Sequence, residues 1–165
     1  MQTASHRELI LGEPRGRPAR VKGMATKRSL VVAAGLGVDA YVHWHLAPGF
    51  DGVKGTASPQ ISQGQLFRVE TVLALIAMVL VLVTRRRLAA MVAFLIAAGG
   101  LGAVLLFAYA DVGGWGPLPN MYDPFWYPEK TVSAVAEAVA ALGALWLLVM
   151  RPVASGARNG GQSSL

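Results

Sequence analysis

Asp39, His43, Glu70 and Glu137 are ionisable residues set inside runs that are otherwise apolar. A charged side chain in the bilayer core costs about 2.5–3.5 kcal/mol even on the lenient insertion scale, so such groups are paired, protonated or used. Asp39 and His43 are spaced i, i+4 and share one helical face with Gly35. Glu137 shares its face with Ser133, Ala140, Ala141 and Ala144, and Glu70 lines up with Ala74 and Ala77. Small residues in membrane helices mark the faces where backbones approach. All four groups are therefore expected to point into a helix bundle. His45 falls on the side of Val38 and Tyr41, toward the headgroups, and needs no special role.

Three ionised acids opposed by a neutral imidazole leave an unbalanced negative cluster. Protons, a nearby base or a cation must relieve it. Arg68 and Lys130 are the basic side chains closest in sequence to the acids and are the expected charge partners. Two readings stay open. In one, the cluster is structural and pins helix register; in the other, it binds a proton, a divalent metal ion or a polar headgroup. No other cofactor is expected. A bis-imidazole haem site needs histidines on facing helices, and His43 and His45 are two residues apart on one helix.

Other motifs carry no chemistry. "GLGVDA" at Gly35–Ala40 matches the dinucleotide fingerprint, but the βαβ context that gives it meaning does not follow. "GGWGPLP" lacks the Lys-Ser/Thr ending of a P-loop, and Ser58, Ser62 and Ser133 have no His and acid at triad-like spacing. The chain has no cysteine, which excludes disulfides and thiolate metal sites.

The elements that carry the four groups are read from hydropathy. The 165 residues are 54% hydrophobic and 15% charged, with a mean hydropathy of +0.47. A soluble domain has about 25% charged residues, and a membrane solvent accounts for the deficit. A bilayer core of about 30 Å takes roughly 17–25 apolar residues as a helix. Four segments qualify, at about 30–47, 67–84, 88–110 and 131–150. The expected fold is an all-α membrane four-helix bundle. At about 1.5 Å per residue, Asp39, His43, Glu70 and Glu137 all fall in the outer half of the bilayer.

Orientation follows from the bases. Twelve of the fifteen Lys and Arg precede the first span, join the second to the third as Arg85–Arg87, or follow the fourth. Lys54, Arg68 and Lys130 lie on the other side. The positive-inside rule puts both termini in the cytoplasm. The net charge of +6 is thus a sign of topology and of anionic lipid, not of nucleic acid. Residues 1–28 are a basic leader expected to be disordered, as is the tail from residue 151. Met24 is an alternative start, and the first span is an uncleaved anchor, not a signal peptide. The second outer loop carries Trp115, Tyr122, Phe125, Trp126 and Tyr127, residues that favour the headgroup zone.

"YVHWHLAPGFD", "ISQGQLFRVE" and "MYDPFWYPEKTVSAVAE" resemble small four-helix integral membrane proteins of high-GC actinobacteria, over about Ser29 to Met150. In topology alone the chain is also similar to DoxX-type proteins. The resemblance implies this fold and a bacterial inner (plasma) membrane, and it brings no activity with it. The expected function is that of an accessory or interaction subunit, in contact with lipid and with a larger membrane complex or further copies of itself. The alternative is a binding or transport module for a proton, a divalent cation or a lipid-like ligand. A membrane enzyme stands third.

Overall fold

The computed structural model describes residues 19–84 and 86–150, with side chains from residue 27 onward. It is all-helical: α1 spans Ala19–Leu46, α2 Gln63–Thr84, α3 Arg87–Tyr109 and α4 Pro128–Val149. A single 3-10 turn, Ala47–Phe50, extends α1. Among the described residues the only extended pairings are isolated bridges, Lys54 with Ser62 and Trp115 with Leu118. All four helices are long and apolar enough to cross a membrane.

The element starts differ from the hydropathy boundaries for local reasons. Helix α2 begins four residues early because Ser62 and Gln65 form a reciprocal cap. The Gln65 N–H donates to Ser62 Oγ at 3.1 Å, and the Ser62 N–H donates to Gln65 Oε1 at 2.8 Å. Helix α4 begins at Pro128, whose fixed φ suits the first helical position and whose missing N–H costs nothing there. Helix α1 begins at Ala19, so the expected leader boundary at residue 28 falls inside it, as does Met24. The leader before Ala19 and the tail from Arg151 lie outside the described residues.

Beside Val32, Leu36, Val81 and Leu147, the core is built mostly of alanine, whereas a water-soluble protein buries most of its large apolar side chains. Ala74, Ala77, Ala93, Ala140 and Ala144 are fully buried, whereas Val83, Leu142 and Val149 are about 70% exposed. Lipid is as apolar as leucine, so large side chains gain nothing by turning inward, and small ones let helices approach. The crossing of α1 and α4 is the tightest case. A Cβ on Gly35 would lie 2.8 Å from the Ala136 carbonyl oxygen, and one on Gly143 would lie 2.8 Å from Val32 Cγ2. Between α1 and α2, the Thr71 hydroxyl donates to the Ala40 carbonyl at 3.3 Å.

Two connections meet at one end of the bundle. The N–H groups of Ala57 and Ile61 donate to the carbonyls of Gly116 and Pro117 at 3.1 and 3.0 Å. The loops 51–62 and 110–127 are thereby joined into one lid. Gly55 sits where the two loops meet, and a Cβ there would collide with the Pro117 carbonyl. Helix α3 buries small residues mostly at the end away from this lid, with Ala108 buried again at the lid end. Ala89, Ala90, Ala93 and Ala97 are buried, while between Gly100 and Phe107 no residue is.

Candidate functional site

Each element brings one part of the site. Helix α1 carries Asp39 and His43 one turn apart. The His43 Nδ1 lies 2.9 Å from Asp39 Oδ1 and 3.2 Å from the Asp39 carbonyl oxygen. Helix α4 adds Ser133, whose hydroxyl donates to Asp39 Oδ1 at 2.8 Å. One turn further along α4 lies Glu137. Asp39 and Glu137 are each 1% exposed and His43 8%, so all three are buried inside the bundle. One donor atom from each of the three lies within 4.8 Å of the others.

The hydrogen-bond accounting of this cluster is incomplete. Asp39 Oδ2 and both oxygens of Glu137 are buried with no hydrogen-bond partner among the described residues. Ionised carboxylates only accept, so Asp39 and Glu137 cannot satisfy each other without a proton or a cation between them. Leaving such atoms bare costs about 1–3 kcal/mol each, more when they are charged.

Glu70 approaches from α2 and its Oε1 is also buried and unpartnered among the described residues. It stands outside the three-residue group but beside it. A Cβ placed on Gly100 of α3 would collide with Glu137 Oε1 and lie 3.5 Å from Glu70 Oε1. Two carboxylates therefore converge over Gly100, where α3 has no side chain to exclude them.

Above Glu70 lies a cavity of about 240 Å³, partly open and set among all four helices under the lid. Its walls are apolar, with Leu66, Phe67, Val104, Phe107 and Met121 prominent. His43, Glu70 and Ser133 give it a polar floor. Lys130, Asp123 and Tyr127 reach it from the lid side. The Phe67 ring meets His43 edge-on at 5.1 Å and Phe50 at 5.1 Å, which closes the α1–α2 wall.

The structure thus unites the four acid and imidazole residues singled out from sequence, with His45 apart and exposed, stacked on Tyr41 at 6.0 Å. It does not bring Arg68 or Lys130 to them as charge partners. Arg68 makes a two-pronged pair with Asp51 at 2.6 and 2.8 Å. Its guanidinium holds the Asp51 carboxyl below the usual aspartate range. Gly64 makes room for this pair, since a Cβ there would strike Asp51 Oδ1 and the Ala47 carbonyl. Lys130 donates to the Asp123 carbonyl, stands 3.5 Å from the Asp123 carboxylate, and lies over the Trp126 ring at 5.5 Å. Both bases are neutralised by loop aspartates, because each sits at the lid end of its helix. Ser133 and Gly100 are the residues the sequence reading left out of the site. Ser133 had a signal, its place on the Glu137 face; Gly100 had none.

No protein-family model, no curated protein and no solved structure matches this chain.

Proposed function

We propose that this chain is a cation-binding protein of the bacterial plasma membrane, with both termini cytoplasmic and Asp39, His43 and Glu137 holding a divalent ion. One observation carries the reading: two fully buried acids keep three bare oxygens beside an imidazole, with donor atoms within 4.8 Å. Charge supports a divalent ion in particular. Two carboxylates, a neutral imidazole and a 2+ ion sum to zero, the state a low-dielectric interior tolerates best. A mixed nitrogen and oxygen donor set suits zinc, manganese or ferrous iron. Ser133 would hold Asp39 in place, as hydrogen bonds around metal ligands commonly do. The distribution of Lys and Arg supports the orientation, which places the lid outside the cytoplasm.

The accessory-subunit reading has its own support. Trp115 and Phe125 of the lid are 72% and 75% exposed, and such aromatics suit a partner surface as well as a headgroup layer. Partners would be lipid, a larger membrane complex or further copies of the chain.

The test is metal analysis of protein purified in mild detergent, with thermal unfolding followed with and without Zn2+, Mn2+ and Fe2+. About one ion per chain and a raised midpoint are expected. Glu137→Gln and Asp39→Asn should each remove both effects and leave the helicity unchanged. A folded protein that takes up no ion, and whose unfolding ignores ions between about pH 5 and 8, would end the proposal.

A further inference from the structure

Glu70 is the acid that the three-residue cation site leaves unclaimed. Its Oε1 is bare and buried, and its side chain lines the cavity. The bases of the lid end do not answer it: Arg68 is paired with Asp51 and Lys130 with Asp123. With a divalent ion balancing Asp39 and Glu137, one negative charge is left at the floor of a mostly apolar space. A bare inorganic ion would find few oxygens on walls made by Leu66, Phe67, Val104, Phe107 and Met121. Cavities with apolar walls and a few converging polar groups take organic ligands whose polar atoms meet those groups. Aromatic rings such as Phe67 and Phe107 also favour a cation beside them.

The cavity has a route in. Helix α3 is packed by its alanines at the far end, yet buries nothing between Gly100 and Phe107, the stretch that lines the cavity beside α2. Entry of a molecule with an apolar body is expected along this stretch, from the lipid.

We infer, resting on the cation-site reading only for the charge it assigns to Asp39 and Glu137, that this cavity binds an ammonium-bearing amphiphile. Its nitrogen meets the Glu70 carboxylate and its apolar body lies against Phe67, Val104 and Phe107. The amine is that of a lipid headgroup or of a small lipophilic amine; the shared chemistry is one protonated nitrogen on an apolar chain.

The chain has no cysteine, so one introduced thiol is a clean reporter. Met121 lies in the lid and lines the cavity, and Met121→Cys puts the thiol at its mouth. Maleimide labelling of this variant is followed in maltoside micelles with octylammonium, octanol or octanoate added. Octylammonium should slow labelling at least tenfold, octanol much less, and octanoate not at all. Adding Glu70→Gln should reduce the ammonium effect to that of octanol. Metal uptake should be unchanged in the Glu70→Gln protein, so failure of the amine site and failure of the metal site are read separately. Should Glu70→Gln unfold the chain, Val104→Trp fills the same space without touching the acid and should abolish protection. Phosphatidylethanolamine, compared with phosphatidylglycerol in mixed micelles, separates the sources. Protection by the former identifies a headgroup amine, and protection by octylammonium alone identifies a small amine. Equal protection by all three eight-carbon probes, or full ammonium protection in the Glu70→Gln or Val104→Trp protein, overturns the inference.

Discussion

At the scale of the residue, the site turns on what lies between Asp39 and Glu137. Glu137→Gln and Glu137→Leu separate its two roles. Without ions, the glutamine amide can donate to the bare Asp39 Oδ2 that the carboxylate cannot satisfy. This variant should unfold within about 1 kcal/mol of the parent. Leucine leaves Asp39 Oδ2 bare in a buried site, and should cost about 1–3 kcal/mol. With Zn2+ or Mn2+ present, both should bind more than about 100-fold more weakly, since loss of even an outer supporting group costs 10–100-fold. Isothermal titration and thermal unfolding in detergent measure both effects. The members of this cluster were legible as residues. Asp39 and His43 share a face by spacing alone, and Glu137 sits among alanines. The partners of Arg68 and Lys130 were not legible. Asp51 and Asp123 lie in loops, and no periodicity says where a loop brings its side chains.

At the scale of the element, the start of α2 shows how a loop fixes a helix. The cap formed by Ser62 and Gln65 and the pair between Asp51 and Arg68 both hold the segment 51–62 against α2. The cap was present in the letters S-x-x-Q, but apolar content rises only after it, so hydropathy placed the helix start too late. The ion pair has a defined pH signature. The carboxyl of Asp51 is held below its ordinary value of 3.8 by Arg68. A lowered acid contributes stability that is complete above the unfolded value and is lost as pH falls through the folded one. The difference in unfolding midpoint between the parent and Asp51→Asn should therefore be flat from about pH 7 to 5. It should shrink only below the ordinary aspartate value. A difference that instead changes between pH 7 and 5 would assign the effect to another group. The pair is exposed to solvent, so high salt should reduce the difference at every pH.

At the scale of the whole molecule, the fold was legible because a bilayer demands long apolar helices and little else. Four runs of the right length dictated four spans. The shape of the cavity was not legible, because it depends on where α3 ceases to pack. That is decided by Gly100 and by the lid, not by hydropathy. Orientation remains the property that the bases alone support, and reporter fusions test it directly. A periplasmic reporter should be active when fused after Gly55 or Asn120, and silent after Arg86 or Gly160. Activity at Arg86 would invert the molecule and put the lid in the cytoplasm.

The contacts that bind the loops of the lid, together with the α1–α4 crossing, have a consequence for how the chain can be divided. Helices α1 and α2 form one hairpin, and α3 and α4 another. The covalent link between them, from Thr84 to Arg87, is at the end opposite the lid. Much of what holds the hairpins together lies elsewhere. Gly35 lies close to the α4 backbone at Ala136, Gly143 lies close to the Val32 side chain, Ser133 reaches Asp39, and Arg28 lies over the Trp146 ring at 5.2 Å. The link is therefore expected to be dispensable for recognition. Two fragments divided between Arg85 and Arg86, expressed together, should each insert as a hairpin and should co-purify through a tag on one of them. The Asp39–Glu137 site would then be built from two separate polypeptides, and divalent-ion uptake should appear only in the reunited pair. Fragments that insert but purify alone would show that the hairpins need their tether to find each other.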